Sequence, residues 1–248
     1  MTTKNTLSVE GIVILSREYK DSDKSLVIFT KDRGRLSFVA KGVRKLNSKN
    51  RSSTDLLVHG EYQLSKGKAY HILNQGQVLE GFMSVRKDLL KTTVAMTMTV
   101  FLNDVLVDNM AQGEVYELLV WTLKRLENTK DPKFLLRYFL IKSILFLGHQ
   151  PNLDFCSLCQ ENSKDYFFQF SEGNLVCSTC TKEGFYLDSN LIQLYKILET
   201  DNFNQLKDFD MSKSVLEKLD YFLEKLIEHI TDKRFTGFDY LKKLTFEV

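Results

Sequence analysis

Between residues 7 and 80 the apolar positions come in short runs: Leu7–Leu15, Ser25–Thr30, Arg35–Gly42, Leu56–Ser65 and Ala69–Glu80, each rich in Val, Ile, Leu, Phe and Tyr. Turn-forming clusters separate them, among them Lys31-Asp32-Arg33-Gly34 and Lys66-Gly67-Lys68. Short β-branched and aromatic runs bounded by such clusters read as strands. Five of them in so short a stretch, with no helical period between most, predict a small closed barrel of the OB type. A five-stranded sheet of another topology fits the same periodicity.

From about Gly81 to Gly148 the apolar period changes to three and four residues. Leu89, Val94, Met98, Phe101, Leu102 and Val105 mark one helix and Glu114–Leu126 a second. A third, Phe134–Leu147, is opened by Asp131 as cap and Pro132 at its first position, and it stops at Gly148. It is apolar around most of its circumference, which predicts burial on several sides. Helices return at Leu191–Thr200 and at Ser212–Thr231, where Val215, Leu219, Leu223, Leu226 and Ile230 share a face. Neither helical part can comfortably bury its apolar face alone. The expected fold is therefore α+β and multidomain: an OB-fold β-barrel over 1–80, an all-helical domain over 81–150 plus 188–248, and an inserted module over 151–187.

That insert holds every cysteine of the chain, as Cys156-Ser157-Leu158-Cys159 and Cys177-Ser178-Thr179-Cys180. Two intervening residues let both thiolates of a tight turn face one metal ion, and a second such turn completes a tetrahedron. The pattern predicts one structural Zn2+ held by Cys156, Cys159, Cys177 and Cys180, with no coordination position left open for catalysis. Two disulfides, or four unrelated buried thiols, are the alternatives. No apolar run reaches the roughly twenty residues of a membrane span, and the amino terminus lacks a secretory pattern. A cytoplasmic location follows, where metal-bound thiolates persist more readily than disulfides.

Charge adds an asymmetry that the formal net value of +2 hides. Residues 1–90 carry a net +7 and residues 91–248 a net −5. Eleven Lys and Arg fall between Arg17 and Arg51, and the segment Val43–Asp55 mixes four of them with small polar residues and only two apolar ones. That segment is expected to be a mobile surface loop contributing nothing to the core. Lys20, Lys24, Arg33, Arg35, Lys41, Arg44, Lys45, Lys49 and Arg51 are the candidate nucleic-acid contacts, because such cations neutralise phosphates without regard to sequence. Tyr19, Phe29, Phe38, Tyr62 and Tyr70 are the aromatics available for stacking; most belong in the barrel core, with Tyr19 the one expected at the surface.

Little argues for an enzyme. The chain has no G-x-x-x-x-G-K-[ST] and no G-x-G-x-x-G opening a helix. Its histidines, His59, His71, His149 and His229, are scattered and read as structural or surface groups. His149, seven residues before Cys156, is not needed as a ligand once four thiolates are matched.

Two sets of residues carry a family resemblance. Glu10-Gly11-Ile12-Val13-Ile14-Leu15, Tyr19-Lys20-Asp21-Ser22-Asp23-Lys24, Gly34-Arg35-Leu36 and Val39-Ala40-Lys41-Gly42-Val43-Arg44-Lys45 resemble the first domain of the bacterial RecO recombination mediators. Leu147-Gly148-His149-Gln150-Pro151-Asn152-Leu153-Asp154-Phe155-Cys156 and Gly173-Asn174-Leu175-Val176-Cys177 resemble that family's entry into and exit from its zinc module. The resemblance implies a DNA repair and recombination protein, nucleoid-associated and not a catalyst. It would bind single- and double-stranded DNA, anneal complementary strands, and with RecR help RecA replace the single-strand-binding protein. By the same resemblance, Arg35, Lys41, Arg44 and Lys45 match the family's basic barrel positions, and metal supports only the module's fold. The rival readings are an RNA-binding or transcription-associated adaptor and, from another class, a metal-dependent hydrolase.

Overall fold

The computed structural model describes residues 6–67, 70–208 and 211–243. Lys68 and Ala69, expected in the last turn and at the head of the last strand of the barrel, lie outside the described residues. The described residues divide into two compact units, 6–136 and 137–243.

In the first unit β1 (Thr6–Tyr19), β2 (Asp23–Thr30), β3 (Gly34–Ala40), β4 (His59–Lys66) and β5 (His71–Glu80) close into a barrel in the order β1-β2-β3-β5-β4, the OB arrangement. β1 is long enough to serve two partners. Its first half pairs with β4 and its second with β2, and a register shift between Val13 and Leu15 accompanies the change. Alternate side chains point inward, so Val13, Leu26, Ile28, Leu36, Phe38, Tyr62 and Leu64 form one core. Among the described residues the closing seam is short and parallel, pairing Phe38 with His71 and Val39 with Ile72.

The segment between β3 and β4 departs from expectation. It is not a loop free of the core but a strap fastened over the barrel, with Val43, Ser53 and Thr54 buried and a 3-10 turn at Ser52–Thr54. At its start the Gly42 N–H donates to Asp23 Oδ1 (2.8 Å) and the Arg44 N–H to the Ser22 carbonyl (3.0 Å). At its middle the Asn50 side-chain amide donates to the Asn74 carbonyl and accepts from the Gly76 N–H, both at 3.1 Å. That is the donor–acceptor pair a neighbouring strand would offer β5, supplied beyond the two residues that pair with β3. The Tyr62 hydroxyl, inside the barrel, donates to the Ser53 carbonyl (3.0 Å). Composition reads these polar groups as solvated, whereas the barrel backbone consumes them.

α1 (Met83–Arg86), α2 (Leu89–Val105) and α3 (Gly113–Asn128) complete this unit. Asp88 caps α2 by accepting the Lys91 N–H (3.0 Å), and α2 packs on β1, whose outward Ile12 and Ile14 are buried. The connection from α2 to α3 crosses the β2–β3 turn so closely that a Cβ on Gly34 would lie 1.9 Å from the Met110 carbonyl oxygen. Gly34 also has φ +62°.

α4 (Pro132–Phe146) begins where its cap predicts, with Asp131 accepting the Phe134 N–H (2.9 Å), and Gly148 at φ +77° follows it. In the second unit Arg137 makes a two-pronged ion pair with Asp220 (2.6 and 2.8 Å), and Lys142 meets the Glu199 carbonyl and Asp201. These buried charges interrupt a helix that reads as apolar. The second unit also holds α5 (Ser189–Glu199), α6 (Lys213–Thr231), α7 (Gly237–Lys243) and a three-stranded antiparallel sheet, β6 (Asp165–Gln169), β7 (Asn174–Cys177) and β8 (Phe185–Asp188), in the order β7-β6-β8, with α5 against β8 and α6, and α7 against α6. Phe168, Phe170, Phe185 and Phe222 join sheet to α6 through ring contacts of 5.1–6.1 Å. No helix among the described residues is long and apolar enough to cross a membrane.

Gly34→Ala is expected to lower stability by about 2 kcal/mol or more, since it adds left-handed strain to a backbone clash. Gly113→Ala, with nothing within 4 Å of the added methyl, should be close to neutral. Urea unfolding of the two variants measures the difference.

Candidate nucleic-acid interface and metal centre

The fold sorts the nine candidate cations by position. Lys20, Lys24, Lys41, Arg44 and Lys45 gather where the β1–β2 turn meets the start of the strap, as Lys24 pairs with Ala40 across the sheet and Arg44 reaches the Lys20 and Asp21 carbonyls. Lys49 and Arg51 flank Asn50, further along the strap over β5. Arg33 and Arg35 lie at the other end of the β2–β3 hairpin, six residue steps or about 20 Å of strand away.

It also sorts them by electrostatic partner. The Lys24 ammonium contacts Asp55 (2.9 Å), Arg44 contacts Glu18 (3.0 Å) and Arg35 contacts Asp108 (3.5 Å). Arg35 is further held by the backbone, because its carbonyl accepts the Asn109 N–H (3.1 Å). Lys31, outside the nine, meets Glu117 (2.6 Å), which raises the lysine pKa through a hydrogen bond and opposite charge. By contrast Lys20, Arg33, Lys41, Lys45, Lys49 and Arg51 are exposed and make no ion pair among the described residues. The carboxylates of Glu18, Asp55 and Asp108 were not legible as partners, since nothing in their spacing marks contacts that tertiary folding creates.

Of the barrel aromatics Phe29, Phe38 and Tyr62 are buried, while Tyr19 and Tyr70 are exposed. Lys20 lies over the Tyr19 ring at 5.2 Å. Phe29 points outward from β2, not into the core, and meets Tyr116 of α3 edge-on at 5.5 Å. His59 is a structural group, bonded to Glu10 (2.8 Å) beside the Tyr116 hydroxyl (3.1 Å).

In the second unit the two cysteine turns close on each other. Cys177 ends β7, and the chain turns there through Cys180 N–H to the Cys177 carbonyl (3.0 Å); the Gln160 N–H donates likewise to the Cys156 carbonyl (2.9 Å). The four Sγ atoms lie within 4.8 Å of one another, with Cys159 and Cys177 at 3.7 Å. Four thiolates about 2.3 Å from a tetrahedral ion have edges of about 3.8 Å, so this cluster has the dimensions to hold one. The cysteine turns also supply backbone donors, among them the Cys177 N–H to Cys156 Sγ (3.2 Å). Burial pushes the Cys156 thiol up, but N–H groups of Cys159, Cys177 and Leu158 outweigh it and bring it down to about 6. Bonds to Cys177 and Cys159 push Cys180 up to about 12. Sulfurs this close share protons unless a cation neutralises them, which is the chemistry of a thiophilic metal site. His149 is not part of the cluster.

An OB barrel under a basic strap, a helical region and a four-cysteine cluster together define the class: a multidomain OB-barrel protein with a cysteine-built module. Family models resolve it further. The model described as "Recombination protein O N terminal" matches residues 1–82, and "Recombination protein O C terminal" matches residues 86–236. The chain belongs to the recombination protein O (RecO) family. Relatives named DNA repair protein RecO include one from Acetivibrio thermocellus, 29% identical over 245 residues, covering 97% of this chain and 98% of the relative. The Listeria monocytogenes serovar 1/2a protein of that name is 27% identical over 240 residues (96% and 92%), and that of Syntrophomonas wolfei 26% over 232 (92% and 93%).

Proposed function

We propose that the chain is a non-catalytic recombination mediator in DNA repair, acting in the cytoplasm at the nucleoid. It binds single- and double-stranded DNA, anneals complementary strands and, with RecR, assists RecA in loading onto DNA coated by single-strand-binding protein. The observation that carries this reading is the strap: a row of exposed cations fastened across an OB barrel, in a chain of the RecO family. Bringing two strands together is opposed by their phosphate charge, and a basic surface touching both lowers that repulsion. The nine candidate cations supply the field. Within this reading 1–80 is the DNA-binding domain, while the helical domain (81–150 plus 188–248) and the metal module (151–187) offer docking surfaces to proteins.

The metal is Zn2+, one ion, held by Cys156, Cys159, Cys177 and Cys180. Bound there it supplies folding energy and no reaction step, because the four thiolates use every position of a tetrahedral ion.

Annealing of complementary strands already coated with single-strand-binding protein should be accelerated by this chain, and the acceleration should fall as salt rises. Failure to accelerate it at any salt would overturn the mediator reading. A preference for RNA over DNA of equal length would favour an RNA adaptor instead.

Elemental analysis should find one zinc per chain, reduced in Cys156→Ser and Cys177→Ser. Removal by a chelator with a thiol-modifying reagent should lower the unfolding temperature yet leave affinity for DNA within about twofold, because structural zinc is folding energy. Affinity lost while the fold survives would contradict a purely structural ion.

A further inference from the structure

OB barrels commonly bind oligonucleotides on the outer face of the second and third strands. Here that face is largely closed. Since Leu26, Ile28, Leu36 and Phe38 point into the core, Val27, Phe29, Arg35, Ser37 and Val39 point outward. Yet Val27 and Val39 are only 5% and 6% exposed and Phe29 is fully covered, with Tyr116 of α3 against it. Arg35, at the same end, is held by Asp108 and by the backbone of Asn109. Ser37 alone is exposed. A strand of DNA laid on this face would have to displace α3 and the segment before it.

The strap presents the opposite properties. It runs from Ser22 at the β1–β2 turn to Gly76 on β5, is held by hydrogen bonds at both places, and carries Lys41, Lys45, Lys49 and Arg51 outward with no carboxylate partner among the described residues. Lys20 adds a fifth such cation at its start. Cations that are exposed, unpaired and mounted on a fixed backbone can each neutralise a phosphate with little ordering cost, whereas one tied to a carboxylate must first give up that partner.

We infer that the nucleic-acid track of this chain is the strap with the β1–β2 turn, not the β2–β3 face. Lys20, Lys41, Lys45, Lys49 and Arg51 make the phosphate contacts; Lys24, Arg35 and Arg44 are structural ties, and Arg33, though exposed and unpaired, lies off the track at the far end of the β2–β3 hairpin. This inference rests on the proposed DNA-binding role and deepens it by assigning the residues.

The test is fluorescence anisotropy with a labelled oligo(dT) of about 30 nucleotides, titrated at several salt concentrations. The variant Lys41→Gln/Lys45→Gln/Lys49→Gln/Arg51→Gln alters only exposed side chains, and circular dichroism checks its fold. Four lost contacts at about 0.7 each should reduce the salt slope by about 3, with affinity at least about tenfold lower near 100 mM salt. Two controls keep the face in play: Ser37→Glu, and Arg35→Gln with Asp108→Asn, which removes the tie without leaving a lone charge. Both should keep the wild-type slope within about one unit. A strap variant with an unchanged slope, or a Ser37→Glu chain weakened as much as the strap variant, would overturn the assignment while leaving DNA binding intact. A wild-type chain with no salt-dependent binding would overturn the DNA-binding reading, and this inference with it.

Discussion

Among the described residues the barrel closes through a seam of two pairs, Phe38–His71 and Val39–Ile72, and much else in the first unit follows from how short that seam is. A strand with unpaired backbone groups must find partners or stay wet. β5 finds its partner in the Asn50 side chain, which reproduces the donor and acceptor of a peptide at Asn74 and Gly76. The connection between β3 and β4 is drawn onto the barrel by that exchange, burying Ser53 and Thr54 where the hydroxyl of Tyr62 needs an acceptor. A segment with almost no apolar content thereby becomes a fixed part of the fold, and its cations are fixed with it.

Much of this was legible in the order of residues. Period-two runs gave five strands, and the Asp131-Pro132 pair marked the start of α4 within a residue, because a cap and a proline act locally. The two cysteine turns announced a cluster that the fold brings within ligand range. What stayed hidden depended on contacts distant in sequence. Composition made Val43–Asp55 look solvated, as its hydrogen bonds go to β5 and to the β1–β2 turn. The three short strands of the cysteine module are four or five residues each, too brief for periodicity to show, and α1 and α7 escaped for the same reason. Charge counting treated Lys24, Arg35 and Arg44 like their neighbours, although each has a carboxylate that tertiary folding brings near.

The two units rely on buried charge differently. In the first, ion pairs such as Lys31–Glu117 are open to water and individually worth little. In the second, Arg137 and Asp220 are nearly enclosed, and their two-pronged geometry satisfies groups whose isolation would cost several kcal/mol. The pair joins α4 to α6 by two parallel N–H···O bonds, so that removing either partner would leave a buried charge unpaired.

The strap divides its labour between side chains. Asn50 bonds β5 through its side chain, and the buried Ser53 and Thr54 brace the turn through their hydroxyls, which donate to the Asn50 and Arg51 carbonyls; the side chains of Lys41, Lys45, Lys49 and Arg51 face solvent and bond none of those groups. Substitution at the outward positions therefore alters surface potential with little penalty to folding, and substitution at the anchors does the reverse. Over evolutionary time, a lineage can strengthen or weaken its grip on a polyanion by exchanging these outward residues one at a time, on a backbone that selection for foldedness has no reason to disturb.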